Sequence, residues 1–242
     1  MKPKWDPSKG RPEPIAALNR IIEKENGEPL VDIRHYLPNM HMGRPHVLPY
    51  VRKRVAEMVA EAQGQLPAGV YLSLIEGWRP LPRQQRIFDF VWQCAVEAYP
   101  ERDHVALRRT VCRWVAPTDQ KAPPGHCTGA AVDLQLVDAA GELLDVVSPF
   151  DRNTAARTYT IGLTEPASRN RMLLVEAMLA VGFSNCRDEW WHYSYGDAGW
   201  AVRLGYKECF YGLIDLEGHL YEAEELMHVE SFKDRPSPFK FS

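Results

Sequence analysis

The chain has 242 residues, of which 45% are hydrophobic and 25% charged, and its formal net charge is −3. That length and apolar share suffice to bury one sizeable core, so a single domain is expected. The near-balanced charge offers no broad basic field, which argues against a nucleic-acid partner and leaves a small molecule as the expected ligand.

Residues 1–13 are polar and Pro-rich and read as a flexible arm, not as a secretory leader. No stretch approaches the roughly 20 apolar residues of a membrane span, so no membrane partner and a cytoplasmic location are expected. Ile15 to Lys24 carries a short helical pattern. From Pro49, the residues Val51, Val55, Met58, Val59 and Ala62 recur at helical spacing up to Gly64, which predicts a helix with Pro in its first turn. Val70 to Ile75 predicts a strand that runs into the turn Glu76-Gly77-Trp78-Arg79-Pro80. Helices are expected from Pro82 to Ala98 and from His104 to Ala116, followed by a Pro/Gly loop, Ala116 to Gly125, that delivers the chain to His126. Ala131 to Val137 alternates as a strand. Val132, Leu134 and Leu136 share one face, so Asp133 points the other way with Ala131 and Gln135, out of the core and into a cleft. Ser168 to Val181 predicts a helix closed by Gly182, and the aromatic run Glu189 to Tyr195 another strand. Residues 207–242 form a C-terminal extension of unassigned role.

Two short motifs carry the chemistry: Gly125-His126-Cys127-Thr128-Gly129-Ala130-Ala131-Val132-Asp133, and Glu189-Trp190-Trp191-His192. Together they offer two neutral nitrogens and one carboxylate, which suits a zinc ion with one position open for water, plus a second carboxylate beside it. Glu189 and His192 are three apart and would face opposite sides of a regular strand. Both reach one metal only if Glu189 precedes the strand proper or sits at a bulge, so a distortion is expected there. His41, His46, His104, His219 and His228 read as ordinary surface or hydrogen-bonded residues. The five cysteines, Cys94, Cys112, Cys127, Cys186 and Cys209, are scattered without a CxxC pair, which indicates neither a disulfide framework nor a zinc finger. Cys127 beside His126 reads as a small packing residue and not as a nucleophile. HExxH, GxSxG and Gly-rich phosphate-loop patterns are absent.

These motifs resemble those of the D-alanyl-D-alanine dipeptidases of the vancomycin-resistance type, within the zinc D-Ala-D-Ala peptidases related to hedgehog domains. The pattern SxHxxGxAxD is matched by His126, Gly129, Ala131 and Asp133, and ExWH by Glu189, Trp191 and His192. The resemblance extends to Asp32-Ile33-Arg34 with Asn39 and Gly43, to the GWRP turn with Arg79, to Pro149-Phe150-Asp151, and to Ser168-Arg169-Asn170-Arg171. It spans about residues 30 to 200. The resemblance implies zinc on His126, Asp133 and His192, Glu189 as general base, Arg79 facing the oxyanion, and Asp151 holding the substrate's free α-ammonium. An Arg79 paired with Glu76 on the same turn is the structural alternative. Two positions depart from the family pattern: Pro124 stands where the family has Ser, and His35, followed by Tyr36, where it has Tyr.

The resemblance implies a single α+β domain, with a central antiparallel sheet flanked by helices in the hedgehog/DD-peptidase manner. The activity it implies is zinc-dependent hydrolysis of D-alanyl-D-alanine. A D,D- or L,D-carboxypeptidase acting on peptidoglycan stems is the alternative enzyme, and a zinc-stabilised binding module without turnover is the alternative outside enzymes. Glu189 and Arg79, which a purely structural zinc does not need, speak against the latter. The oligomeric state is left open.

Overall fold

Alternation in two neighbouring strands builds the frame. The computed structural model describes residue 9 and residues 11–239; the remainder of the expected N-terminal arm, residues 1–8 and 10, lies outside the described residues. Residues 11–13 are tied to the body, because Glu13 pairs with Arg203 at 2.8 Å and Arg11 donates to the Arg203 carbonyl. In chain order the elements are α1 (Ile15–Leu18), β1 (Ile22–Glu23), β2 (Leu30–Asp32), β3 (His41–Met42), β4 (Tyr50–Arg52), α2 (Lys53–Gln63), β5 (Val70–Glu76), α3 (Leu81–Ala98) and α4 (His104–Val111). They continue as β6 (Ala131–Asp138), α5 (Glu165–Ala180), β7 (Ser184–Asn185), β8 (His192–Ser194), α6 (Ala198–Leu204), β9 (Glu208–Cys209) and α7 (Glu222–Glu230).

The main sheet has the order β3-β5-β6-β8-β7 and is antiparallel apart from the two-residue edge strand β3, which runs parallel to β5. Along β5 and β6 the pairs Leu72↔Leu136 and Leu74↔Leu134 face one side. These leucines are buried with Val55, Met58, Val59 and Ala62 of α2 and Leu174, Val175 and Met178 of α5. Each buried aliphatic side chain of this kind contributes roughly 1.5–3 kcal/mol of transfer free energy. The opposite face carries Ser73↔Gln135 and is free to build a site.

Several expected elements are shorter or differently placed. The helix expected over Ile15 to Lys24 stops at Leu18, because Ile22 and Glu23 pair in parallel with Glu208 and Cys209. Tyr50, Val51 and Arg52 form a strand against β2, so the helix expected from Pro49 begins at Lys53. The helix expected to reach Ala116 ends at Val111, where i→i+3 bonds from Arg113 and Trp114 tighten the turn ahead of Pro117. Helix α5 starts at Glu165, three residues earlier than expected, with the Thr164 hydroxyl accepting from the Ala167 N–H as its N-cap. Of the strand expected over Glu189 to Tyr195, only His192–Ser194 pair as strand.

The C-terminal extension packs on the GWRP turn and α3. Trp78 Nε1–H donates to the Ile214 carbonyl, and its ring meets Tyr221 edge-on at 5.2 Å. Glu225 pairs with Arg83 and with Arg86, both at 2.7 Å. His228 is buried beside them; Arg86 donates to its Nδ1, which is therefore an acceptor and unprotonated. Burial, reinforced by Arg83, lowers this imidazole from 6.5 to about 3, with His46 and Arg86 acting in the same direction and Glu76 opposing. The unfolded chain thus binds the proton first, and the stability contributed by neutral His228 is complete above its ordinary pKa and drains away as pH falls toward about 3. His228→Gln is therefore expected to flatten the acid limb: between about pH 7.5 and about pH 4.5 the wild type should lose about 2 kcal/mol more unfolding free energy in urea than the variant. Parallel losses in the two proteins would show that His228 does not titrate on unfolding.

Candidate active site

Three strands place their carboxylates and imidazole in one row. Asp133 on β6 stands directly opposite His192 on β8, and on its other side it is paired with Glu76 at the end of β5. The β5 register shifts between Leu74 and Glu76, with the buried Ile75 as the extra residue. Regular alternation would send Glu76 to the core face with Leu72 and Leu74; the bulge turns it to the face of Asp133.

His126 reaches the row from a 3₁₀ turn, Gly125–Thr128, that ends on Gly129 at φ 69°. A side chain there is strained by its conformation and would collide with Leu30, so the position suits glycine. The turn is held by Arg52, fully buried, whose backbone N–H donates to the Gly129 carbonyl and whose Nε donates to the Thr128 carbonyl. The same guanidinium pairs with Glu25 at 2.9 Å and donates to the Gly212 carbonyl, so one cation ties two further segments to the turn.

The resulting cluster is His126, Asp133 and His192, whose ligand atoms lie within 4.8 Å of one another, a group able to hold a metal ion. Asp133 Oδ1 is 3.3 Å from His126 Nε2 and 2.9 Å from His192 Nδ1. His126 Nδ1 lies 2.9 Å from the Gly77 carbonyl, to which it donates; this sets the tautomer and leaves Nε2 as a lone-pair donor facing Asp133. Burial alone would raise the Asp133 pKa, but the two facing histidines reverse this and hold it well below the usual carboxylate range. Burial would lower His192, and Asp133 raises it.

Glu189 precedes β8, as the three-residue spacing requires, in a turn closed by the His192 N–H bond to the Glu189 carbonyl at 3.1 Å. Asn185 Nδ2 on β7 holds that turn by donating to the His192 carbonyl at 3.0 Å, with longer bonds to the carbonyls of Glu189 and Trp190. Burial, with Asp133 reinforcing and the two histidines opposing, raises the Glu189 pKa above its ordinary value.

Arg79 lies beside the cluster, its backbone N–H bonded to the His126 carbonyl. Its guanidinium pairs with Glu76 at 3.1 Å and donates to Gln84 Oε1 at 2.6 Å, which realises the alternative pairing on the turn. Its buried Nε–H has no partner among the described residues. Asp151 is exposed on the loop after β6. Its carboxylate accepts from the N–H groups of Asn153 and Thr154 and from the Thr154 hydroxyl, and none of these partners belongs to the histidine–aspartate cluster. The Cys127 thiol is buried and pushed up to about 12, so it stays protonated near neutral pH, in keeping with packing. Glu76 as part of the row, the Gly77 carbonyl, Gln84 and Asn185 were not legible as site residues. Regular alternation assigns Glu76 to the core face and only the bulge at Ile75 reverses that, and backbone acceptors leave no mark in a sequence.

Gly77 has no room for a side chain, since an added Cβ would lie 2.6 Å from the Leu48 carbonyl oxygen and 2.9 Å from that of Tyr50. Both obstacles are backbone, so Gly77→Ala must displace the turn that orients His126 and Arg79. It is expected to cost about 1–3 kcal/mol of stability, read as a lower urea midpoint at unchanged slope. An unchanged midpoint would mean that the turn relaxes freely.

Known proteins point the same way as this geometry. A peptidase family model described as D-ala-D-ala dipeptidase matches residues 42–211, a span that holds Arg79, His126, Asp133, Asp151, Glu189 and His192. A D-alanyl-D-alanine dipeptidase of Synechocystis sp. is 28% identical over 251 residues, covering 84% of this chain and 98% of the relative. A D-alanyl-D-alanine dipeptidase of Escherichia coli is 29% identical over 127 residues, covering 52% of this chain and 55% of the relative. Among the described residues no helix is long and apolar enough to cross a membrane. With the family model matched over well more than half of its length, the chain belongs to the D-Ala-D-Ala dipeptidase family of peptidases.

Proposed function

We propose that the protein is a zinc-dependent dipeptidase that hydrolyses D-alanyl-D-alanine to two molecules of D-alanine. The observation that carries this reading is the convergence of His126, Asp133 and His192 on one point, within a chain of this family. The donor set fits zinc: two imidazoles and one carboxylate are the three protein ligands of a catalytic site with an open fourth position, and the Gly77 carbonyl fixes the His126 tautomer that ligation needs. When bound there, zinc supplies Lewis acidity and lowers the pKa of water toward about 7.

The remaining work falls to the chain. Glu189 takes the proton of the attacking water on a carboxylate oxygen and delivers it to the nitrogen of the leaving D-alanine, a step typically worth about 10²–10⁴ in rate. Arg79 is held in place by Glu76 and Gln84, and its free Nε–H is the donor toward the oxyanion that develops on the scissile carbonyl. Asp151 has about one acceptor site left beyond the three bonds it receives in its own loop, and offers it to the substrate's α-ammonium.

Glu189→Gln keeps the shape of the side chain but removes its basicity, so it should retain its metal while kcat for D-Ala-D-Ala falls roughly 10²-fold or more; near-normal kcat would assign the proton transfer elsewhere. Arg79→Lys should be costly as well, because a point charge does not reproduce the guanidinium fork, and a change within about twofold would remove Arg79 from the oxyanion role. N-acetyl-D-Ala-D-Ala should be cleaved about 10²-fold less efficiently than the free dipeptide, and Asp151→Asn should narrow that gap. If the capped peptide or a peptidoglycan stem is the better substrate, the carboxypeptidase reading replaces this one.

A further inference from the structure

A free dipeptide carries two charges, one on each side of the scissile bond, and the residues assigned so far meet only the ammonium. Its C-terminal carboxylate requires a cation, since a charge brought into a half-buried site without a partner is strongly disfavoured. Arg79 is held by Glu76 and Gln84, and its free Nε–H is assigned to the oxyanion. Arg171 is spent on backbone: its guanidinium donates to the carbonyls of Val146, Ala155 and Arg157.

Arg152 differs from both. It is half-buried, and its guanidinium carbon lies 4.2 Å from the ring centroid of Trp191 and 5.8 Å from that of Trp190. Attraction to an aromatic face comes from the ring's quadrupole and uses none of the guanidinium's N–H donors in hydrogen bonds. Among the described residues no carboxylate or carbonyl meets those donors. Burial lowers the Arg152 pKa, Asp133 and Glu189 oppose that effect, and Arg44 adds to it, so the group sits within the field of both carboxylates of the site.

The loop that presents Arg152 is fixed at both ends. Arg171 holds the carbonyls on either side of it, Asp145 accepts from the N–H groups of Val147 and Ser148, and the Trp190 N–H donates to the Ala156 carbonyl. That last bond couples the loop to the Glu189–His192 turn itself. A guanidinium held on an aromatic face with free donors, on a loop tied to the turn that carries Glu189, is a preorganised receptor for a planar carboxylate.

We propose that Arg152 receives the substrate's C-terminal carboxylate through its in-plane N–H donors and thereby selects substrates that end one residue beyond the scissile bond. The proposal deepens the dipeptidase reading and rests on it. It is tested by comparing D-Ala-D-Ala with its C-terminal amide, D-Ala-D-alaninamide, which keeps the scissile bond and ammonium but lacks the carboxylate. In Arg152→Met, kcat/KM for the acid should fall about 30-fold or more, mainly through KM, while that for the amide changes less than about threefold. Arg152→Lys, which keeps the charge without the fork, should fall between. Thermal midpoints and bound zinc, measured on both variants, separate this from misfolding: with both unchanged, an equal loss on acid and amide, or no loss on either, overturns the proposal. A wild type that cleaves neither substrate sinks the dipeptidase reading and the proposal together, whereas a wild type that cleaves the acid beside an indifferent Arg152→Met sinks the proposal alone.

Discussion

The register of β5, β6 and β8 around Asp133 is the constraint on which the rest of the structure depends. Asp133 has Glu76 as its neighbour on one strand and His192 on the other, and all three occupy the face that Leu72, Leu74, Val132 and Leu134 leave free by packing on α2 and α5. Because side chains alternate with period 2, a slip of one residue in either pairing would bury a carboxylate among leucines and expose a leucine to the cleft. The core thus enforces the site: the apolar face fixes the register, and the register delivers the polar face. The bulge at Ile75 is the one local departure, and it brings Glu76 to where it anchors Arg79.

Buried cations supply the second layer of order. Arg52 and Arg171 are fully buried and donate mainly to carbonyls of loops that have no sheet or helix partner of their own. Arg52 holds the turn of His126, and Arg171 the loop of Asp151 and Arg152. Burial, opposed by Tyr193 and Asp145, lowers Arg171 to about 10, still far above neutral pH, so the cation persists and its hydrogen bonds are charge-assisted. Asn185 does the corresponding work on the turn of Glu189. Residues 212–239, beyond the matched family span, close over Trp78 and α3 and brace the Arg79 turn from outside.

Much of this was legible in the sequence. The alternation of Val132, Leu134 and Leu136 pointed Asp133 into the cleft, and the three-residue spacing of Glu189 and His192 demanded the turn that is present. The helical repeat of Val55, Met58, Val59 and Ala62 located α2, but periodicity also drew in Val51, which belongs to a strand because its backbone pairs with Val31. Short pairings such as Ile22–Glu23 with Glu208–Cys209 join segments far apart in sequence and leave no local pattern. The same holds for the acceptors of Arg52 and Arg171, which are carbonyls and independent of residue type. Motif and alternation thus single out the side chains that the fold brings together; which backbone atoms orient them emerges only from the fold.

Zinc content of the purified protein, compared with that of its Asp133→Ala variant, is the decisive measurement, because Asp133 is both the hinge of the strand register and the carboxylate of the proposed metal set. About one zinc per chain is expected in the wild type and close to none in a variant that remains folded by thermal melting. Equal zinc in the two proteins would contradict that expectation, and would place the metal, and with it the chemistry, away from the row of Glu76, Asp133 and His192.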